Sequence, residues 1–430
     1  MIDPSRPSTG RRPSFFGRRV FYGWWIVAGT AVLGTLSGGA YIHGFTAFVL
    51  PLTEEFDVGR GTISLVFSLA SIGEAIWGPI LGMLIDRHGA RRLMVVGVTL
   101  MGLAFVLGSM AQSMLVFFLI FVPLVSIGMS MGMFAPPAAS VGNWFVRRRG
   151  LAMAIAMTGF GLGGLLVPLV RYLIDAYDWR FAAAAIGVTI WIVGYPITAL
   201  MRHRPEQYGM FPDGASAPPA MGPSPRTPVV GEIDFTVREA LSTRAFWLLG
   251  AWFGFRMVIV ASLGVHFIPI IEDAGYSAAT GATLLSFFAI VTLPARLFFG
   301  YLADRLPKTL LAAGLSSLIA VAIVVLATAD SLWQLYLFVA IYAVAWGGSG
   351  ASMIMAIRGE YFGRRNFATI AGLGSIMIVP GTVLGPTFTG FSYDRTGSYD
   401  LAFYTFIVAA LLSVVMMLLV RRPVLTQPRR

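Results

Sequence analysis

The sequence predicts an all-α membrane protein: twelve transmembrane helices arranged as two six-helix bundles related by an internal repeat. Three observations predict it. Hydrophobic residues make up 57 % of the 430 positions and charged residues only 12 %, with a mean hydropathy of +0.78, too apolar for a chain folded against water. Setting aside 1–20, a polar stretch at 201–241 and 421–430 leaves about 359 residues, or about 30 for each of twelve helix-plus-loop units when one span takes roughly 20 apolar residues. The third is repetition. Gly82-Met83-Leu84-Ile85-Asp86-Arg87-His88-Gly89-Ala90-Arg91-Arg92 recurs as Gly300-Tyr301-Leu302-Ala303-Asp304-Arg305-Leu306-Pro307-Lys308 at an offset of 218, and Trp144-Phe145-Val146-Arg147-Arg148 recurs as Tyr361-Phe362-Gly363-Arg364-Arg365 at an offset of 217. Two independent motifs sharing one offset indicate a duplicated six-helix unit.

Taken in order, apolar runs bounded by charges or turn residues fall at 22–49, 62–84, 93–111, 115–139, 150–172 and 180–200, forming an N-terminal bundle over 21–200. A second set at 244–271, 280–303, 309–327, 332–356, 367–392 and 400–420 forms a C-terminal bundle over 242–420. Between them, 201–241 reads as a linker, with seven prolines between Pro205 and Pro228 favouring extended chain. Thr236 and Glu239 have capping-box spacing and open a short surface helix before the first apolar run of the second half. The segments outside the spans are too short to bury a core of their own, which excludes a soluble enzyme on a single anchor.

Charge orients the bundle. With the N-terminus in the cytoplasm, the tails and alternate loops on that side hold 25 of the 31 basic residues, while the opposite side holds Arg60, Arg171, Arg180 and Arg395. Both termini are therefore expected in the cytoplasm, and the net charge of +11 needs no nucleic-acid partner. Cysteine is absent and the four histidines are scattered, so neither a disulfide framework nor a metal centre is expected. No phosphate loop, nucleophile elbow or metal-ligand spacing occurs, so the expectation is neither an enzyme nor a cofactor-binding protein, and transport energy has to come from gradients.

The Gly82–Arg92 motif resembles the G-x-L-x-D-R-x-G-[RK]-[RK] signature of the major facilitator superfamily, and the resemblance covers essentially the whole chain. It implies a conformational clamp: Asp86 accepts hydrogen bonds from a neighbouring helix N-terminus while Arg87 and Arg91 hold it from the cytoplasmic side, with Asp304 and Arg305 repeating the device. Trp144 to Gly159 is similar, in register, to the Y-F-x-K-R-R-x-L-A-x-G-x-A-x-A-G signature of monocarboxylate transporters, with Ala154 and Thr158 where the signature has Gly and Ala. The acid-Gly motif opening span one is present only as Tyr22-Gly23-Trp24-Trp25, without the acid, so the resemblance is to the bacterial monocarboxylate and oxalate/formate group, in an inner membrane.

Two basic residues fall inside predicted spans. Arg296 lies eight residues before Asp304, about 12 Å inside the helix end, and a guanidinium there needs a hydrated cavity or an anionic partner. Its planar fork suits a carboxylate, and the resemblance implies that an arginine at this place in span eight binds the substrate. Thr292 stands one turn earlier, where family members commonly carry an Asp. Arg256, in mid-span seven, reads equally as a second anion contact or as a side chain snorkelling to the inner face. Glu74 is the one acid well inside a predicted span, open to a role as proton carrier or as the partner of an arginine.

His43 aligns with a span-one position where monocarboxylate transporters often carry a lysine, and it could attract substrate or be protonated with it. His266 reads as structural. Tyr342 and Ser375 are possible hydrogen-bond donors to a carboxylate, and Gly159, Gly161, Gly163, Gly164, Gly381 and Gly385 read as packing and hinge positions. The expected function is proton-coupled monocarboxylate symport by alternating access, by a protein working as a monomer. Organic-anion exchange is the alternative, with drug efflux or a non-transporting receptor less favoured.

Overall fold

The computed structural model describes residues 14–15, 18–19, 21–145, 148–202, 204–214, 235–303, 305–363 and 367–423, and their side chains except at 14–15, 18–19, 75, 78–83, 85–87, 149–150, 351–352, 367–368 and 375. Among the described residues, eleven helices are long and apolar enough to cross a membrane. Span one is Gly23–Phe56, and spans three to six are Ala90–Gly108, Met114–Trp144, Leu151–Ala176 and Trp179–Leu200. Spans seven to twelve are Arg244–Asp273, Ala278–Ala303, Lys308–Ala327, Leu332–Phe362, Thr369–Thr396 and Asp400–Leu419. The 29-residue helix Arg60–His88 is span two, and at 1.5 Å per residue its length of about 44 Å also suffices to cross. The protein is thus an all-helical bundle of twelve spans in two halves.

The helices are hydrophobic around their circumference because each faces either lipid or another helix. Where two backbones must touch, glycine allows it. At Gly385 a Cβ would meet the Val258 carbonyl oxygen and stand 2.9 Å from Ser262 Oγ, so spans seven and eleven cross there at backbone contact. At Gly347 a Cβ would lie 2.6 Å from the Thr292 carbonyl oxygen and 3.3 Å from the Arg296 amide nitrogen, so spans eight and ten cross beside Arg296.

Several spans are not continuous α-helices. Span one loosens into a π-helix at Gly38–Ile42 and a 3-10 turn at Phe45–Phe48, and span four carries a π-helix at Met129–Phe134. Spans five and eleven contain 3-10 turns at Gly163–Leu166 and Ile376–Ile378. Span ten is broken outright: one helix ends at Ser349, Gly350 is extended (φ −69°, ψ −157°), and a second helix begins at Ala351. Gly350 follows Gly132 of the span-four π-helix by 218 residues, so the repeat carries its irregularities as well as its motifs. Irregular backbone at membrane depth is characteristic of places that bind or move.

The halves are joined by polar contacts at one end of the bundle, the end away from Gly23 and Leu419. Asp394, in the last turn of span eleven, accepts hydrogen bonds from the backbone N–H groups of Arg60 and Gly61, both at 2.8 Å. One half thereby caps a helix of the other, placing an anion at the positive end of span two. The Arg60 guanidinium donates to Tyr399 Oη at 2.8 Å and lies over the Tyr393 ring. His266, fully buried, is bonded to Ser64 Oγ (2.8 Å), the Pro386 carbonyl (3.1 Å) and Tyr399 Oη (3.2 Å).

Ser68 Oγ reaches the Val383 carbonyl and Thr387, the Ile268 N–H donates to Thr46 Oγ1, and Ser286 Oγ donates to the Gly164 carbonyl. Among the described residues, all hydrogen bonds between the halves lie in this portion of the bundle. The conformation is therefore one sealed at the end opposite the chain termini.

At the other end, Thr236 and Glu239 form a reciprocal capping box on helix Val237–Ser242. The Thr236 N–H and hydroxyl both bond the Glu239 carboxylate and hold its pKa below the usual range.

The trans cap yields a test of the seal. The chain has no cysteine, so Ser71→Cys, three residues beyond Ser68 on span two, introduces a unique thiol. Asp394→Ala removes two charge-assisted bonds worth about 1.5 kcal/mol or more each and should accelerate labelling of that thiol by an impermeant maleimide, added from the sealed side, by about a hundredfold. An unchanged rate would mean that the cap does not hold the halves together.

Candidate functional site

The second half buries guanidinium groups that have no acidic partner among the described residues. Arg256, in the middle of span seven, has no solvent exposure. Its Nη1 donates to Ser349 Oγ at 2.6 Å, while Nε and Nη2 have no hydrogen-bond partner. The Trp252 and Trp346 ring centroids lie 5.1 and 5.6 Å from its Cζ, so aromatic faces supply much of its polar environment. Full burial between spans seven and ten is the opposite of snorkelling. Tyr342, about two turns before Ser349 on the same helix, is buried and within electrostatic reach of Arg256. The Tyr342 ring stacks on Phe288 and Phe338 at centroid distances of 5.5 and 5.8 Å.

Arg296 is half-buried, and among the described residues no carboxylate lies within 4.0 Å of it. Thr292, the residue one turn before it, turns its hydroxyl onto the Phe288 carbonyl at 2.7 Å. Pro294 sits inside the same helix and cannot donate a backbone hydrogen bond. Span ten connects the two arginines: Gly347 abuts the Arg296 backbone, and Ser349, two residues on, bonds Arg256.

A third buried arginine was missed by the sequence. Charge counting places Arg358 in a cytoplasmic segment, but it is 1 % exposed inside span ten, donating to the Ala371 carbonyl at 3.2 Å with Nη2 unpartnered. The length of the second span-ten helix, Ala351–Phe362, carries it into the bundle. The loop-boundary reading stopped at 356 because charge, not apolarity, marks that end.

His43 stands where span one is irregular. It is half-buried, its ring 6.3 Å from that of Phe288 on span eight and directed to the Phe160 backbone of span five. His43, Phe288, Tyr342 and Arg256 thus form a chain of neighbours from the first half into the second. Glu74 lies elsewhere, in the first half. Its Oε1 is buried without a hydrogen-bond partner, within electrostatic reach of Tyr41, whose hydroxyl also has none. No arginine pairs with Glu74 among the described residues. The structure therefore brings Arg256, Tyr342, His43 and Arg296 around spans seven, eight and ten, and leaves Glu74 apart. Of the clamp residues, Arg91 is exposed and Arg305 lies over the Tyr301 ring at 3.8 Å. Asp304 and the side chains of Asp86, Arg87 and Ser375 lie outside the described residues.

Twelve spans in two repeated halves, with arginines buried inside the second half, are the architecture of a solute carrier, and comparison with known proteins agrees. Residues 30–354 match the Major Facilitator Superfamily, and the chain belongs to that family of membrane transporters; it is not an enzyme. Among its relatives, Monocarboxylate transporter 11 of Mus musculus is 30 % identical over 397 residues, covering 89 % of this chain and 83 % of the relative. The Homo sapiens protein of the same name is 28 % identical, covering 89 % and 79 %.

Solved structures of similar fold include a D-xylose-proton symporter, with a TM-score of 0.75 at 14 % identity over 92 % of this chain and 97 % of that one. A bacterial homologue of the human lysosomal transporter Spinster, in an inward-facing and unoccupied conformation, gives a TM-score of 0.67 at 17 % identity over 93 % and 95 %. The protein is a multi-pass major facilitator transporter homologous to monocarboxylate transporters, and it binds a small solute within the membrane.

An unpartnered buried cation destabilises the fold that holds it. Arg256→Met, similar in length and apolar, should leave the melting temperature of the purified protein in detergent equal to or above the wild-type value, because it removes the buried charge. A fall of more than about 5 °C, beyond the scale of one lost hydrogen bond, would show that Arg256 serves the fold instead.

Proposed function

We propose that the protein is a secondary carrier of small organic anions that takes up a monocarboxylate with a proton by alternating access. The observation that carries this reading is Arg296: a half-buried guanidinium about 12 Å from the helix end, without an acidic partner among the described residues, in a chain homologous to monocarboxylate transporters. A guanidinium at that depth is neutralised by an anion that arrives and leaves. Arg256, Tyr342, His43 and Ser375 complete the substrate surface. Asp86, Arg87 and Arg91, repeated by Asp304 and Arg305, clamp the end of the bundle that bears the termini when the sealed end opens. That end, which carries the basic loops, faces the cytoplasm on this reading, in a bacterial inner membrane. The 21–200 and 242–420 bundles rock as units about the 201–241 linker, within a monomer.

Proton coupling is assigned to Glu74. By the repeat offset of 218, Glu74 is the first-half counterpart of Thr292, so the acid missing beside Arg296 is present at the equivalent place in the other half. Its unpartnered buried oxygen supports a group that is uncharged for part of the cycle. A second reading, exchange of one organic anion for another without a proton, is favoured by the Thr292 hydroxyl being committed to its own helix.

Uptake of labelled lactate and pyruvate into proteoliposomes, with and without an inward-acid pH gradient, separates these readings. Symport predicts gradient-stimulated uptake. Arg296→Ala or Arg296→Lys should lower it by about a hundredfold or more, the scale of losing a buried charge-assisted pair. Full transport by a well-inserted Arg296 variant would overturn the assignment, and uptake that ignores the gradient but requires a preloaded anion would establish exchange. Under symport, Glu74→Gln should abolish gradient stimulation while preserving counterflow; loss of neither would remove Glu74 from the mechanism.

A further inference from the structure

Span ten breaks at the residue that follows Ser349, the hydrogen-bond partner of Arg256 among the described residues. The first helix ends at Ser349, Gly350 is extended, and the twelve-residue helix Ala351–Phe362 starts afresh inside the bundle. A restarted helix presents amide groups without intrahelical acceptors and the positive end of its dipole. Beside that end, Arg256 is fully buried with Nε and Nη2 unpartnered. Its Nη1 is fixed to Ser349 Oγ, which itself donates to the Ala345 carbonyl at 2.5 Å, so the guanidinium is held at the break. Two independent features thus converge on one point, and both call for an anion.

We infer that the break in span ten is a second carboxylate seat, formed by Arg256 and the amide end of helix Ala351–Phe362, and that the substrates include small dicarboxylates bridging it to Arg296. The inference rests on the reading of Arg296 as the first carboxylate anchor and extends it. Span ten links the two arginines: a Cβ on Gly347 would meet the Arg296 backbone, and Ser349, two residues on, bonds Arg256. Charge supports the same class: two guanidiniums without acidic partners among the described residues are neutralised together by a dianion and only half neutralised by a monoanion. Arg256 is covered in this conformation by Trp252 and Trp346, so the seat fills when span ten shifts at Gly350.

Calorimetric titration of the purified full-length protein with propionate, malonate and succinate tests this. Wild type should bind at least one of the two diacids about tenfold or more tighter than propionate, the scale of one charge-assisted pair. Arg256→Gln should reduce that ratio to about threefold or less, and Ser349→Ala, which keeps the charge but frees the guanidinium, should reduce it in the same direction. Should Arg256→Gln fail to fold, Ser349→Ala decides. A wild-type ratio near one, or a ratio unchanged in the variants, overturns the second seat while leaving Arg296 as an anchor for monocarboxylates. Carboxylate binding that survives intact in Arg296→Ala overturns the first anchor and with it the bridge. No binding of any of the three acids by wild type overturns both.

Discussion

The constraint on which the second half depends is the cost of an unneutralised guanidinium in a medium without water. Moving an ion from water into protein interior costs several kcal/mol even after relaxation, and a fold retains such a group only where something repays it. Among the described residues the ion pairs are Arg171–Asp175, Arg180–Glu55 and Lys308–Glu360, none of which involves Arg256, Arg296 or Arg358. Arg256 is supported instead by a hydroxyl and two aromatic rings and Arg358 by a carbonyl, which lessen the cost without cancelling the charge. A site left positive in this way is poised for an anion. The glycine contact at Gly347 sets the Arg296 backbone against span ten, whose Ser349 bonds Arg256 of span seven.

Alternation between two conformations requires that the seal be strong enough to form and weak enough to break. The described seam is made of hydrogen bonds and one trans helix cap, each worth on the order of 1 kcal/mol net, with no ion pair between the halves among the described residues. Its chemistry mirrors the sequence motif at the other end: a carboxylate of one helix capping the amide terminus of another. Asp394 does this for span two at the sealed end, and the Asp86 motif is suited to do so at the opposite end. Exchanging one cap for the other would keep the two conformations close in energy, which is what an alternating carrier needs.

The fold was legible because its signals are properties of long segments. Hydropathy over some twenty residues, the bias of arginines among loops and an offset shared by two motifs each average over many positions, and the family followed from motifs that span the loops. Side-chain environments were less legible, because they depend on single approaches between helices distant in sequence. Arg358 looked like one more loop arginine because it lies only four residues before Phe362, and nothing local says that the helix carries it inside. Arg256 could be placed in the membrane but not oriented, since a helix apolar on all sides gives no face to read. The span-ten break left only a cluster of glycines at 347, 348 and 350 as its trace, and similar clusters elsewhere in the chain are sites of close packing. The partners of His266 come from spans two and eleven and the turn before span twelve, a convergence that no spacing rule encodes.

The separation of Glu74 from the arginines bears on how coupling works. Where an acid and an arginine share one helix turn, protonation and anion binding communicate through direct contact. Here the acid lies in one half and the guanidiniums in the other, with Glu74 within electrostatic reach of Tyr41 and Arg296 facing no described carboxylate. Any coupling between proton and substrate must then pass through the relative position of the halves. A negative Glu74 would favour whichever arrangement hydrates it, a protonated Glu74 would tolerate the arrangement that buries it, and substrate at Arg296 would bias the same equilibrium. Coupling through a shared conformational equilibrium is looser than coupling through a shared contact. It allows one scaffold to run as symporter or exchanger according to how strongly an acid biases the two states, and on the proposed assignment that acid is Glu74.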